Sequence, residues 1–159
     1  MRPRATAQDM GLRERFSEEM KAAMRAKEAR RLSTIRLMMD AVQKQEIASK
    51  ANISDDEVLT VLARMIKQRE ESAATYENGG RPELAQAERD EITVIREFMP
   101  KQMSADESRE AVKAVIAATG AASVKDMGKV MADLKERYTG QMDFGKASGL
   151  VKELLTPKS

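Results

Sequence analysis

Apolar residues recur every three or four positions along almost the whole chain, and this spacing constrains the fold more than any other feature. Leu12, Phe16, Met20 and Met24 form the first such series, and this period places side chains on one face of a helix. The chain has no Trp, three Phe and two Tyr but 12 Met, so aliphatic and methionine side chains must pack the helices. We therefore predict an all-α protein of about seven helices. The later series fall near residues 28–49, 54–77, 82–98, 104–119, 123–138 and 143–155.

Capping signals and prolines divide this helical chain. Ser54 with Glu57, and Ser104 with Glu107, have the spacing of a capping box, which marks a helix start. Pro100 lacks an N–H and cannot continue a helix. We predict a disordered tail at 1–10, a four-helix subdomain at 11–99, a linker at 100–103 and a three-helix subdomain at 104–159. We find no internal repeat.

The last two helices have predicted inner faces that follow the same period. For the sixth helix the face comprises Val124, Met127, Met131, Leu134 and Tyr138. For the seventh it comprises Phe144, Ala147, Val151 and Leu154.

Cysteine and histidine are both absent. Their absence excludes disulfides and thiol chemistry, removes the commonest general base, and eliminates nearly every transition-metal site. The sequence contains neither a Gly-rich phosphate loop followed by Lys and Ser or Thr, nor a Gly-x-Ser-x-Gly nucleophile elbow. We therefore predict no catalytic residue, no metal and no cofactor.

No apolar run approaches the roughly 20 residues that a membrane span needs. The opening residues Met1 to Arg4 lack the apolar core of a secretory signal. Because they are basic, a short organellar peptide is the alternative to the predicted disordered tail. We predict a soluble, cytoplasmic protein that does not bind membranes. Its net charge of +2 is too small to identify a nucleic-acid binder, so an RNA-binding surface would be recognised by where the basic residues lie.

A group of lysines and glycines near the carboxyl end forms the main candidate site. A glycine inside a helix lowers the stability of the helix by about 1 kcal/mol relative to alanine. Its presence therefore indicates that another helix or a phosphate approaches the backbone closely at that position. Free N–H groups at the start of the last helix also favour anions. We predict RNA phosphate contacts here, and the alternative is that Gly128 and Gly149 only let three short helices pack tightly. The predicted site residues are Lys125, Gly128, Lys129, Gly145, Lys146 and Lys152.

A second basic group comprises Lys27, Arg30 and Arg31. If one helix carries all three, Lys27 and Arg31 lie one turn apart on the same side. They form either a ridge that contacts phosphates or a solvated helix face, and the second is common because soluble domains carry about a quarter charged residues. With so few aromatic residues, an RNA partner would be recognised by its shape and phosphates rather than by base stacking.

Five segments together resemble the YqeY-like family. That family is similar to the carboxy-terminal tail of the B subunit of the tRNA-dependent aspartyl/glutamyl-tRNA amidotransferase. The resemblance covers residues 12–155 and implies an all-α fold of two helical subdomains. It also implies that the smaller subdomain corresponds to the tRNA-contacting end of the tail. The segments are Arg31–Leu37, Ile66–Ser72, Gly80–Ala85, Met99–Ser104 and Lys125–Met131.

We therefore expect a non-catalytic module that docks on structured tRNA, or on a tRNA-handling enzyme, through its carboxy-terminal subdomain. One alternative is an accessory role in transamidation, since the family is associated with carbon–nitrogen ligase activity that uses glutamine as amide donor. We attribute that activity to the larger enzyme, whose catalytic body is not recognisable in this sequence. The other alternative is a protein–protein adaptor that binds no RNA. We expect no DNA partner, and the sequence leaves the oligomeric state undefined.

Overall fold

A computed structural model describes residues 11–157, and all regular structure in this range is helical. A short 3₁₀ turn at Val124–Asp126 leads into the sixth helix. These elements confirm the prediction of an all-α fold with about seven helices. The tail predicted for residues 1–10 lies outside the described residues. The helices are α1 Leu12–Arg25, α2 Ala29–Ser49, α3 Asp55–Asn78, α4 Pro82–Arg96, α5 Ala105–Thr119, α6 Met127–Tyr138 and α7 Phe144–Leu155.

The chain divides into two compact units. The amino-terminal unit contains α1–α4 and reaches Met99, and the carboxy-terminal unit contains α5–α7 and begins at Pro100. Within the segment 100–103, which was predicted to be a linker, two residues are hydrogen-bonded to the carboxy-terminal unit. The Met103 N–H donates to the Gln141 carbonyl at 2.9 Å, and the Gln102 side-chain amide donates to the Gly140 carbonyl.

Two buried phenylalanines lie in the core of the amino-terminal unit. Phe16 and Phe98 pack edge to face with their ring centroids 5.1 Å apart, the geometry that the charge distribution of aromatic rings favours. The Arg15 guanidinium lies 5.1 Å from the centroid of the Phe98 ring. Side chains from α2, α3 and α4 surround this pair. The largest of them that are fully buried are Ile35, Met38, Val58, Leu62 and Ile95.

The inner face predicted for α1 is correct at its start and wrong at its end. Leu12 and Phe16 are buried, but Met24 is 51% exposed and Ala23 is buried in its place. A helix turns 100° per residue, so each step of four residues rotates about 40° past a full turn. After three such steps the series has rotated about 120° away from the core, and the buried position shifts to the preceding residue.

The carboxy-terminal unit has its own aliphatic core. The inner face predicted for α6 was wrong at Val124, which is 42% exposed, whereas Val130 is fully buried. Val124 lies in the 3₁₀ turn, whose three residues per turn break the register of the following α-helix. The predicted face of α7 is confirmed at Ala147 and Val151, which are both buried. The buried core comprises Ala111, Val112, Val115, Val130, Leu134, Met142, Ala147, Val151 and Leu155.

Candidate nucleic-acid interface

The predicted lysines of the carboxy-terminal unit lie at the ends of α6 and α7. Lys125 is in the 3₁₀ turn, Lys129 and Lys146 are in the first turns of the two helices, and Lys152 is in the last turn of α7. All four residues are exposed. Within residues 11–157, none of them forms an ion pair with a carboxylate; the pairs in this unit involve Arg109, Lys113 and Arg137.

Lys129 differs from the other three lysines because its ammonium group is already bonded. Its Nζ donates to the carbonyl of Thr119 at 3.1 Å, at the carboxyl end of α5. A cation at this position satisfies one of the carbonyls that a helix end leaves without an intrahelical partner. Lys129 would have to exchange this bond for a phosphate contact, whereas Lys125, Lys146 and Lys152 would not.

The turn before α6 is fixed by the carboxylate of Asp126. This carboxylate accepts hydrogen bonds from the backbone N–H of Ala122 at 2.9 Å and of Ser123 at 3.3 Å. The bond from Ala122, then that from Ser123, and then the charge of Lys129 lower the pKa of Asp126 below its ordinary value. Asp126 therefore stays ionised near neutral pH and orients the turn that carries Lys125.

The start of α7 does not offer the free N–H groups that the sequence analysis expected. The Oδ1 atom of Asp143 accepts from the N–H of Gly145 at 2.8 Å and from that of Lys146 at 3.2 Å. The chain's own carboxylate thus occupies the position that an anion would take. A Cβ at residue 145 would lie 3.1 Å from this oxygen, so glycine keeps room for the cap. What remains available at this end is the exposed Lys146 side chain.

The two glycines offered as packing residues do not serve that purpose. Gly128 and Gly149 are both exposed, and a Cβ added at either position would meet no other atom within 4 Å. The alternative that they let the helices approach closely is therefore wrong. They leave two patches of helix backbone without side-chain cover, next to the lysines.

The second basic group is not a continuous ridge on one helix. Lys27 lies in the turn before α2 with φ of 57°, so the predicted placement of Lys27 one helical turn from Arg31 is wrong. Arg30 is exposed, and its guanidinium lies 3.6 Å from the Asp90 carboxylate.

Arg31 is committed to contacts inside the amino-terminal unit. Its guanidinium pairs with Glu19 of α1 at 2.9 Å, with Glu28 at 3.8 Å and with Glu97, which follows α4. The bond to Glu97, and then that to Glu19, raise the pKa of Arg31 against the effect of its partial burial. Only 22% of the Arg31 side chain is exposed, so this residue connects helices rather than presenting a free cation.

Sequence reasoning missed one exposed lysine of this surface. Lys135 lies on α6 and forms no ion pair with the residues that the structure describes. It follows Gly128 by seven residues, which places the two on the same side of the helix. That spacing was visible in the sequence and could have identified it.

Between residues 11 and 157 no three acidic side chains come together in a way that could hold a metal ion. No helix in this range is both long and apolar enough to cross a membrane.

The family resemblance is tested by comparison with known proteins. The sequence model of the family described as Yqey-like protein matches residues 13–155, which is nearly the whole described chain. The protein belongs to the YqeY-like family. This confirms the resemblance inferred from the five sequence segments.

Two curated relatives are similar to the chain over shorter stretches. The Kluyveromyces lactis protein "Altered inheritance of mitochondria protein 41, mitochondrial" is 32% identical over 122 residues, which cover 76% of this chain and 59% of the relative. An uncharacterised protein of Schizosaccharomyces pombe is 27% identical over 82 residues, which cover 52% of this chain and 67% of the relative. The chain therefore spans less than two thirds of the length of the Kluyveromyces protein.

Proposed function

We propose that this protein is a non-catalytic RNA-binding module, and that its carboxy-terminal unit docks on the phosphates of structured tRNA. The observation that carries the proposal is the set of exposed, unpaired lysines beside uncovered helix backbone on α6 and α7. Lys125, Lys146 and Lys152 have no carboxylate partner within the described chain. Gly128 and Gly149 are needed for no close packing.

Phosphates fit this surface better than bases do. Lysine is a compact cation on a flexible stem and binds phosphate as a point charge. The carboxy-terminal unit contains only two aromatic residues, Tyr138 and Phe144, and both pack against its core. A surface whose two aromatic rings are both partly buried against the core offers few stacking platforms of the kind that single-strand binders use, which favours a folded RNA recognised by its shape and backbone.

An accessory role in transamidation is the second candidate, and it rests on family membership alone. It requires a separate catalytic protein, since no nucleophile with an activating base was found in the sequence. Under this candidate the purified chain would release no ammonia from glutamine by itself but would raise that release when the catalytic protein is added.

We also propose that the protein acts in the cytoplasm. The name of the Kluyveromyces relative contains the word mitochondrial, which supports the competing location. Immunoblotting of fractionated cells decides between them, because an organellar protein would sediment with the organelle and resist added protease.

The RNA proposal is tested by measuring the affinity for unfractionated tRNA over a series of salt concentrations. Phosphate contacts release counterions, so the logarithm of the association constant should fall linearly with the logarithm of the salt concentration. The triple variant Lys125→Gln, Lys146→Gln, Lys152→Gln should bind more weakly, with a slope shallower by up to about three units.

The matched control is the double variant Lys27→Gln, Arg30→Gln in the amino-terminal unit, which leaves the Arg31 contacts intact. It should bind tRNA like the wild type. If this control loses binding while the triple variant keeps it, the wrong unit has been assigned. If the wild type shows no salt-sensitive binding to tRNA, the RNA function is refuted and the protein-adaptor alternative replaces it.

A further inference from the structure

The last two helices have similar sequences when the first residue of α6 is aligned with the first residue of α7. Each has 12 residues, and each follows an aspartate. Aligning residues 126–138 with residues 143–155 needs no gap and gives five identical positions. This 17-residue offset is shorter than the periods of the common repeat families. The identical pairs are Asp126 and Asp143, Gly128 and Gly145, Lys129 and Lys146, Lys135 and Lys152, and Glu136 and Glu153.

The two helices also bury matching positions. The fourth residue is buried in both, as Val130 and Ala147, and so is the eighth, as Leu134 and Val151. Each helix therefore turns the same side of its pattern towards the core. The prediction that the chain has no repeat was therefore incomplete, because the sequence contains these five identities and the helix bounds and burial of the two segments agree with them.

Since the inner faces match, the exposed faces match as well. The second, sixth and ninth residues lie at spacings of four and three, which place them on one side of a helix. In α6 these residues are Gly128, Ala132 and Lys135, and all three are exposed. In α7 the equivalent residues are Gly145, Gly149 and Lys152, which are also exposed.

The two lysines of each helix differ in their surroundings. The first lysine, Lys129 or Lys146, is followed seven residues later by a glutamate on the same side of the helix. On the side of the second lysine, the residues three and seven positions before it are glycine or alanine, and none of the residues three or four positions away from it is acidic. Lys135 and Lys152 therefore stand on faces without an acidic residue and beside short side chains, which favours a polyanion that approaches the helix closely.

We propose that Lys135 and Lys152 are equivalent phosphate contacts, presented by two repeated helices to one RNA backbone. This inference rests on the proposed RNA-binding function and adds to it a residue and a mode of recognition. An RNA backbone carries one negative charge at each nucleotide. Two helices that each present a lysine beside short side chains are complementary to two such charges. No acidic residue of either exposed face opposes that charge.

The test compares single variants in the tRNA-binding assay. Lys135→Gln and Lys152→Gln should each weaken binding by a similar factor and each reduce the salt slope by about one unit. The double variant should reduce the slope by about two units. Lys113→Gln on α5, where the lysine is 3.4 Å from Glu110, is the matched control and should leave the slope unchanged.

The outcomes separate this inference from the function on which it rests. If Lys152→Gln weakens binding and Lys135→Gln does not, the equivalence of the helices is refuted while RNA binding stands. If both single variants bind like the wild type, and the wild type remains salt-sensitive, the contacts lie elsewhere. If the wild type itself does not bind tRNA, the proposed function fails first. Circular dichroism of each variant verifies that helicity is unchanged.

Discussion

Replacing Phe98 by alanine tests whether the two units unfold separately. Phe98 is 1% exposed and packs against Phe16 near the end of the amino-terminal unit. Truncating a buried phenylalanine to alanine costs about 3–5 kcal/mol. At about 0.05–0.15 kcal/mol per residue, a unit of this size has a free energy of unfolding of about 4–13 kcal/mol. The substitution should therefore remove a large part of the stability of one unit.

Hydrogen exchange read by mass spectrometry distinguishes the units. In Phe98→Ala, peptides from α1 to α4 should exchange faster while those from α5 to α7 keep their wild-type protection. Leu134→Ala in the carboxy-terminal core should produce the reverse pattern, since Leu134 is fully buried there. Met24→Ala is the matched control, because Met24 is half exposed and surface changes usually stay within about 0.5 kcal/mol. Equal loss of protection in both units of Phe98→Ala would refute independent folding.

Three further predictions concern local features. Gly149→Ala should stabilise the carboxy-terminal unit by about 1 kcal/mol in urea unfolding, because the added Cβ meets open space; destabilisation would contradict the open environment. Ser104→Ala should cost about 1 kcal/mol, because the Ser104 hydroxyl caps α5 through the Glu107 N–H at 3.1 Å; an unchanged midpoint would show that the cap contributes nothing. The pKa of Glu46 is held below its ordinary value by Arg13, whose Nη1 donates to it at 2.7 Å. This pair's contribution to stability is complete above about pH 4.3 and is lost as the pH falls through the lowered pKa. The difference in melting temperature between wild type and Glu46→Gln should therefore be constant near neutral pH and shrink in acid, and a constant difference down to pH values of about 2 would exclude this role.

The helices were predictable from the sequence because their determinants are local. α3 begins at Asp55 directly after the capping box of Ser54, and α5 begins at Ala105 directly after that of Ser104. A capping box uses groups three residues apart in the chain, so its spacing can be recognised without knowing the rest of the fold.

The use of side chains was less predictable because it depends on distant partners. Arg31 was predicted to belong to a basic ridge, but its partner Glu97 lies 66 residues further along the chain. The surroundings of Gly149 also depend on residues distant in the sequence, because the packing of three helices leaves the space around this glycine open. Lys135, in contrast, could have been identified from the sequence, because its spacing from Gly128 matches that of Lys152 from Gly145. The RNA contacts themselves stay a prediction.

The pairing of Arg31 with carboxylates of three segments imposes a condition on any experiment that varies salt. These partly exposed ion pairs are screened as the ionic strength rises, with a Debye length that falls from about 10 Å at 0.1 M to about 3 Å at 1 M. Added salt therefore weakens a contact that holds α1, α2 and the end of α4 together. The same titration also weakens phosphate binding in the other unit. A melting curve recorded at each salt concentration separates loss of the fold from loss of the ligand, and Arg31→Met supplies a protein that lacks these ion pairs.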